Sequence, residues 1–237
     1  MNKVHFVSLG AGEPELITLK ALRLLERADA IYAPSSLSPN GRRASKSQSI
    51  MLSLGIRPEQ IIAYDMPVNK EREGAEEAYR AVAEGIQQRL TTQPDALIAV
   101  VAIGDAGFYA SSAYIGEYLE AMQIPSEYHP GVPAFIASNA LIGGQLVQLD
   151  EQLRVIPGEA TAAEWAEAWQ SKHSIVVMKG SMAEAEVKRA IRTYPQRSWH
   201  YLEFVGYAGR ELHLSDPERI LEHKFPYFSL IISKARP

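Results

Sequence analysis

The sequence predicts an α/β protein made of two α/β domains, the N-terminal one on a mostly parallel sheet and the C-terminal one on a mixed sheet. Three observations predict it. Short β-rich runs alternate with helix-period segments through the first half. Leu97 to Ile103 is apolar without a break and bounded by Pro94-Asp95 and Gly104-Asp105, as expected of a central parallel strand covered on both faces. In the second half few crossover helices separate the later strands, which favours mixed pairing. The 237 residues, 46% of them hydrophobic, suffice for one large core or two modest ones. A boundary near residues 110 to 114 is expected, giving domains 1–112 and 113–237.

Val4 to Leu9 reads as a strand ending at Gly10. Ile17 to Ala28 then carries Leu19, Leu22 and Leu25 with Ala21, Leu24 and Ala28 at helical spacing. Ala30 to Ala33 and Ile61 to Tyr64 are short strands, and a long helix runs from about Arg72 to Leu90. Ser112 to Met122 suits a helix, followed by a strand at Ser126 to His129 and a turn at Pro130-Gly131. Later strands are expected at Leu153 to Ile156, Ile175 to Met178, His200 to Phe204 and Phe228 to Ser233. Helices are expected near Pro133 to Ile142, Ala162 to Gln170 and Met182 to Thr193.

Composition removes several function classes. The chain contains no cysteine, which excludes a disulfide framework, a thiolate metal site and a Cys nucleophile. A net charge of −4 argues against a nucleic-acid binder, for which a concentrated basic surface is needed. No apolar run approaches the roughly 20 residues of a membrane span. The start, Met1-Asn2-Lys3-Val4, lacks the basic and long apolar regions of a signal peptide, so a cytoplasmic location is expected. His5, His129, His173, His200, His213 and His223 show no pair spaced i and i+4 on one helix, and no bound metal is expected. No Gly-x-Ser-x-Gly elbow occurs.

Four segments could carry chemistry. Gly10-Ala11-Gly12-Glu13-Pro14-Glu15 follows the first strand, and glycines there let the backbone approach a ligand. A dinucleotide fingerprint would need Gly or Ala where Glu15 stands, and no Gly-Lys-Ser/Thr phosphate loop exists. A tight strand-to-helix connection explains the turn equally well. Ile103-Gly104-Asp105-Ala106-Gly107-Phe108-Tyr109 lies at the C-terminal end of the buried strand, where ligands of open α/β sheets sit. Asp105 could accept from ribose hydroxyls or an amine, and the aromatic pair could cover a flat ring, or Asp105 could simply cap a helix. Pro130 to Phe135 feeds a helix of small residues, and Ile175 to Gly180 places Met178 at a strand end, where core packing is the commoner role.

Taken in order, these segments resemble the tetrapyrrole methylases, over nearly the whole chain. Ser8-Leu9-Gly10-Ala11-Gly12-Glu13-Pro14-Glu15-Leu16 is similar to the family's opening glycine-proline loop, and Gly104-Asp105 with Phe108-Tyr109-Ala110-Ser111 to its Gly-Asp-Pro motif. Gly131 to Phe135, Asp150 to Gly158, Val176 to Lys179 and Pro226 to Ile231 resemble the branch that methylates C-20 of precorrin-2 or cobalt-factor-2 in cobalamin biosynthesis. Ser8 stands in place of the first loop glycine, Ala11 of the loop proline, Glu13 of the usual aspartate and Ala106 of the proline after Asp105. Pro34 occupies the position, just after the second strand, where siblings that methylate uroporphyrinogen carry Asp.

The resemblance implies a homodimer of two-domain subunits, with S-adenosylmethionine folded into the crevice between the domains and the tetrapyrrole in a trough beside it. Carried over by motif, Ala11, Ile103, Gly104, Asp105, Phe108, Pro133, Ala134 and Met178 meet the cofactor. Gly12 lies near the methyl group on the substrate side. Arg42, Arg43 and Lys46 would pair with substrate carboxylates, or belong to a solvated loop. Methyl transfer leaves S-adenosylhomocysteine, and Tyr109 and Glu203 are the candidate bases for the departing proton. A sibling methylase with another target, or a non-catalytic tetrapyrrole-binding protein on the same fold, is the alternative.

Overall fold

Each apolar residue of a fully covered strand can face one helical layer or the other, and β1 (Val4–Ser8) is such a strand, at the heart of the first sheet. The computed structural model describes residues 3–37, 43–66 and 72–235. A single 3-10 turn at Pro14–Leu16 leads into α1 (Leu19–Arg27), whose first turn is capped by Thr18 Oγ1 accepting from the Ala21 N–H. Then follow β2 (Ala30–Leu37), β3 (Arg43–Ala44), α2 (Lys46–Ser53), β4 (Ile61–Asp65), α3 (Arg72–Thr92), β5 (Ile98–Ala102), α4 (Ser112–Ala121) and β6 (Ser126–His129). The strand order is β3-β2-β5-β1-β6, with β4 also paired to β2. All these pairings are parallel except that of the short β3.

The pleat sends alternate residues to opposite layers. Val4, Phe6, Ile98 and Val100 meet Tyr79, Val82 and Ile86 of α3 and Ile115 and Leu119 of α4. Val7, Ile31, Ala99 and Val101 meet Leu24 and Leu25 of α1 and Ile50 and Met51 of α2. The buried strand expected at Leu97 to Ile103 is β5, and every one of its residues is buried.

The second unit contains α5 (Ala134–Ile142), β7 (Leu153–Ile156), α6 (Ala162–Gln170), β8 (Ser174–Val177), α7 (Gly180–Thr193), β9 (Arg197–Glu203), β10 (Leu212–Leu214), α8 (Pro217–Glu222) and β11 (Ser229–Ala235). Its sheet runs β10-β9-β11-β8-β7, with only the β7–β8 pair parallel. Helix α6 begins at a capping box of Thr161 and Glu164. One face of the sheet packs Trp199, Tyr201 and Ile231 against Trp165 and Trp169 of α6, Val187 of α7 and Ile220 of α8. The buried Arg197 guanidinium donates to the carbonyls of Ser171, His173 and Ser233, fixing the approach to β8 against β9 and β11.

The two compact units are residues 1–133 and 134–237. The stretch from Ser112 to His129, expected beyond a boundary near 110 to 114, belongs to the first unit because β6 pairs with β1 and α4 packs in the first core. Helix α2, strands β3 and β10 and helix α8 add to the expected elements. Pro34 lies inside β2 rather than after it. Pairing to β5 stops at Tyr32, so the missing N–H of Pro34 leaves that ladder intact.

Candidate functional site

Parallel strands β1 and β5 end side by side, and the chain turns away from each at a glycine. Gly10 and Gly104 form a bridge beyond the strand ends, Gly10 N–H donating to Gly104 O at 3.2 Å and Gly104 N–H to Gly10 O at 2.7 Å. Both adopt left-handed backbone, φ 76° and φ 81°. A Cβ at Gly10 would stand 2.7 Å from Leu16 O, whereas nothing lies within 4 Å of a Cβ built on Gly104. Gly104 is itself buried, yet the direction a Cβ would take from it is free of neighbours.

Asp105 organises that turn. Its Oδ1 accepts from the Gly107 N–H at 2.8 Å and its Oδ2 from the Gly131 N–H at 2.7 Å. Asp105 thus joins the loop after β5 to the loop after β6 and is not a helix cap, since α4 begins only at Ser112. Gly131 is confined there: a Cβ would sit 2.4 Å from Ser8 Cβ and 2.8 Å from Gly104 O.

Ser8 ties the same three segments from beneath. The buried hydroxyl donates to His129 O at 2.6 Å and accepts from the Ala106 N–H at 2.8 Å. Ser8 and Ala106, the two positions where the resemblance led one to expect glycine and proline, are joined by this bond. A proline at 106 would have no N–H to give and a glycine at 8 no oxygen to receive it, so Ser8 and Ala106 form a matched pair. Nothing in the sequence except their joint departure marks that bond.

Ala11 and Gly12 are buried, the latter at φ 111°, and Ile103 and Asp105 are partly buried beside them in the chain. The rings of Phe108 and Tyr109 meet edge to face, 4.6 Å between centroids. Tyr109 is half exposed and held at φ 49°, a conformation costly for a bulky residue. Lys46 opens α2, after the cap Ser45, whose hydroxyl donates to Pro34 O. This places Lys46 beside the C-terminal part of β2, at the sheet end where β1 and β5 also finish. Arg42 lies outside the described residues, and Arg43 is described only as backbone in β3.

Pro133 is the last residue of the first unit and Ala134 the first of the second, where it starts α5. Met178 ends the β8 line, its N–H donating to Ile156 O at 2.8 Å. Lys179 follows at φ 52° in the N-cap position of α7, without a side-chain capping bond. At the same end of this sheet stands Glu203, paired across β11 with Ser229. Its Oε2 accepts from the Tyr201 hydroxyl and contacts His223 Nε2 at 3.0 Å. Burial first, then the Glu203 contact, pushes the Tyr201 hydroxyl far above its ordinary range, so it stays a donor to Glu203.

The strands also assemble a group that helix spacing could not disclose. His5 on β1 and Glu127 and His129 on β6 share a face, with His5 Nδ1 3.0 Å from His129 Nε2. The signal was Glu127-x-His129, the period-two spacing of a strand.

The family model for Tetrapyrrole (Corrin/Porphyrin) Methylases matches residues 3–216. A Precorrin-2 C(20)-methyltransferase of Sinorhizobium sp is 29% identical, over 95% of this chain and 92% of that protein. A Cobalt-precorrin-2 C(20)-methyltransferase of Salmonella typhimurium is 30% identical over 75% of this chain and 73% of its own length. Among solved structures, uroporphyrin-III C-methyl transferase from Thermus thermophilus, complexed with S-adenyl homocysteine, superposes with a TM-score of 0.67 at 18% identity, covering 98% of this chain and 97% of its own. A cobalt precorrin-4 methyltransferase gives 0.71 at 15% identity, over 98% and 94%. These two likenesses concern the fold.

Proposed function

Because the chain belongs to the tetrapyrrole (corrin/porphyrin) methylases, we propose that it transfers a methyl group from S-adenosylmethionine to C-20 of precorrin-2 or its cobalt complex in cobalamin biosynthesis. The observation that carries this reading is the relative of that name, aligned over 95% of this chain and 92% of its own. Partial alignment with siroheme synthases, 31% identical over 67% of this chain in one case, spans only 26% of that longer protein and favours a sibling target less.

The cofactor supplies a sulfonium methyl, which a nucleophilic carbon takes with S-adenosylhomocysteine as the leaving group. The residues proposed to receive it begin at the bare Gly104 backbone, whose open Cβ direction admits a ligand where a side chain would intrude. Ala11, Ile103, Asp105 and Phe108 share that proposed role, as do Pro133, Ala134 and Met178. Asp105 acts chiefly by holding Gly107 and Gly131 in place. Such positioning, aligning the attacking carbon, methyl and sulfur, can contribute about 7–11 kcal/mol in favourable cases. Gly12, Arg42, Arg43 and Lys46 are proposed to face the tetrapyrrole, the basic groups pairing with its carboxylates. Once the carbon–methyl bond has formed, the carbon's proton must leave. Tyr109, half exposed, could take that proton only as its phenolate, and Glu203 is a carboxylate already engaged by Tyr201 and His223, so the two stay the candidate acceptors. A cytoplasmic homodimer completes the reading. No helix among the described residues is long and apolar enough to cross a membrane.

Anaerobic incubation with S-adenosylmethionine and either metal-free precorrin-2 or its cobalt complex tests the proposal by mass spectrometry of the tetrapyrrole. Gain of one methyl group at C-20 is expected in at least one case. No gain, with cofactor binding demonstrated, would turn the assignment to a sibling methylase or a carrier. Asp105→Ala should weaken cofactor binding about tenfold or more, because losing the clamp frees two loops at once. Unchanged affinity by calorimetry would remove Asp105 from the site.

A further inference from the structure

We propose that His5, Glu127 and His129 form a binding site for a divalent transition metal of the zinc class, separate from the methyl-transfer chemistry. Parallel pairing sets His5 directly across from Glu127, and strand alternation returns His129 to the same face two residues on. The potential ligand atoms of all three lie within 4.8 Å of one another. His5 Nδ1 and His129 Nε2 are 3.0 Å apart, and Glu127 Oε1 is 3.9 Å from the same His129 nitrogen, separations that one tetrahedral ion can span.

The donor set selects the ion. Two imidazoles and one carboxylate suit zinc, cobalt or nickel, and the absence of cysteine from the chain removes thiolate competition. Three protein ligands leave a fourth position open to water. His129 is 2% exposed, and its Nδ1 has no hydrogen-bond partner among the described residues. The tautomer that presents Nε2 to a metal carries its proton on that unpartnered Nδ1, a cost the bond to the metal has to offset. Two ammonium groups already gather at the carboxylate, Lys3 at 3.5 Å and Lys20 at 3.7 Å from Glu127. Both lysine side chains are more than half exposed, so an incoming dication can displace them into water.

The site would act on the rest of the molecule through β6. His129 O receives the Ser8 hydroxyl, and two residues later the Gly131 N–H meets Asp105. An ion joining β1 to β6 would steady the loops that surround Gly104.

Calorimetric titration of the full chain with zinc at pH 7.5 tests the proposal, with visible absorption of added cobalt as a second readout. One equivalent per chain is expected, with a tetrahedral cobalt spectrum. His129 is buried and its replacement disturbs the core, so the informative variants are His5→Gln and Glu127→Gln, each expected to weaken binding at least about tenfold. His213→Gln, which breaks the separate His200–His213 pair, should leave binding unchanged. Absence of saturable uptake, uptake unaltered in both His5→Gln and Glu127→Gln, or loss in His213→Gln would overturn the assignment.

Discussion

A single hydroxyl, that of Ser8, joins the segments ending β1, β5 and β6, and its removal isolates two buried backbone groups at once. Ser8→Ala should cost about 1–3 kcal/mol, since the Ala106 N–H and the His129 carbonyl would lose their partner away from water. The coupling has a sharper signature. Ser8→Gly combined with Ala106→Pro should lose less than the two single changes summed, because proline deletes the N–H that glycine strands. Urea unfolding of the four proteins of that cycle measures the difference, and strict additivity would deny the coupling. At this scale the sequence was legible where a residue type announces chemistry. Asp105 and the glycines of both turns stood out from their place after a strand. Ser8 did not, because a serine at a strand end has many ordinary uses and its partners lie 98 and 121 positions away. Gly131 was visible only as a turn residue. Its crowding against Ser8 and Gly104 is a property of three chain segments meeting.

Secondary structure was legible in proportion to the strength of its period. The long α3 and the uniformly apolar β5 lie close to where the pattern placed them. Helix α2 escaped because Ser47 and Ser49 weaken its opening turn and only Ile50 and Met51 anchor its hydrophobic side. Strand β10 and helix α8 span 3 and 6 residues, too few for any period to register. The β9–β10 pairing has a consequence for pH. His200 and His213 face each other at 3.1 Å. Burial above all, then His213 and Lys234, brings the His200 pKa down to about 4. An unfolded histidine titrates near 6.5, so between that pH and about 4 the unfolded chain binds the extra proton. Stability from this residue is thus complete above pH 6.5 and lost as pH falls toward 4. His200→Gln should flatten the fall of Tm across that window relative to the native protein, and an equally steep fall would remove His200 as its source.

At the scale of the whole molecule, the expected pair of α/β domains with a parallel and a mixed sheet is what the chain forms. The boundary was not legible, because Pro130-Gly131 and the turns around residue 110 look alike in composition, and only strand pairing shows to which sheet Ser126–His129 belongs. The separate cores lead to an optical prediction. All 3 tryptophans, Trp165, Trp169 and Trp199, lie together in the core of the second unit. Tryptophan fluorescence therefore follows that unit, while far-UV circular dichroism follows both. Ile86→Ala, which opens a hole in a first-unit core at a cost of about 2–5 kcal/mol, should lower the dichroism midpoint and leave the fluorescence midpoint in place. Midpoints that move together would mean that the two cores unfold as one. The position of the boundary also bears on how such chains recombine. A genetic crossover between residues 112 and 113 would take β6 from the sheet it closes and hand it to a foreign partner. A crossover after Pro133 exchanges one whole sheet for another, severing no strand from its neighbour, and is the point at which shuffled hybrids of related genes should survive most often.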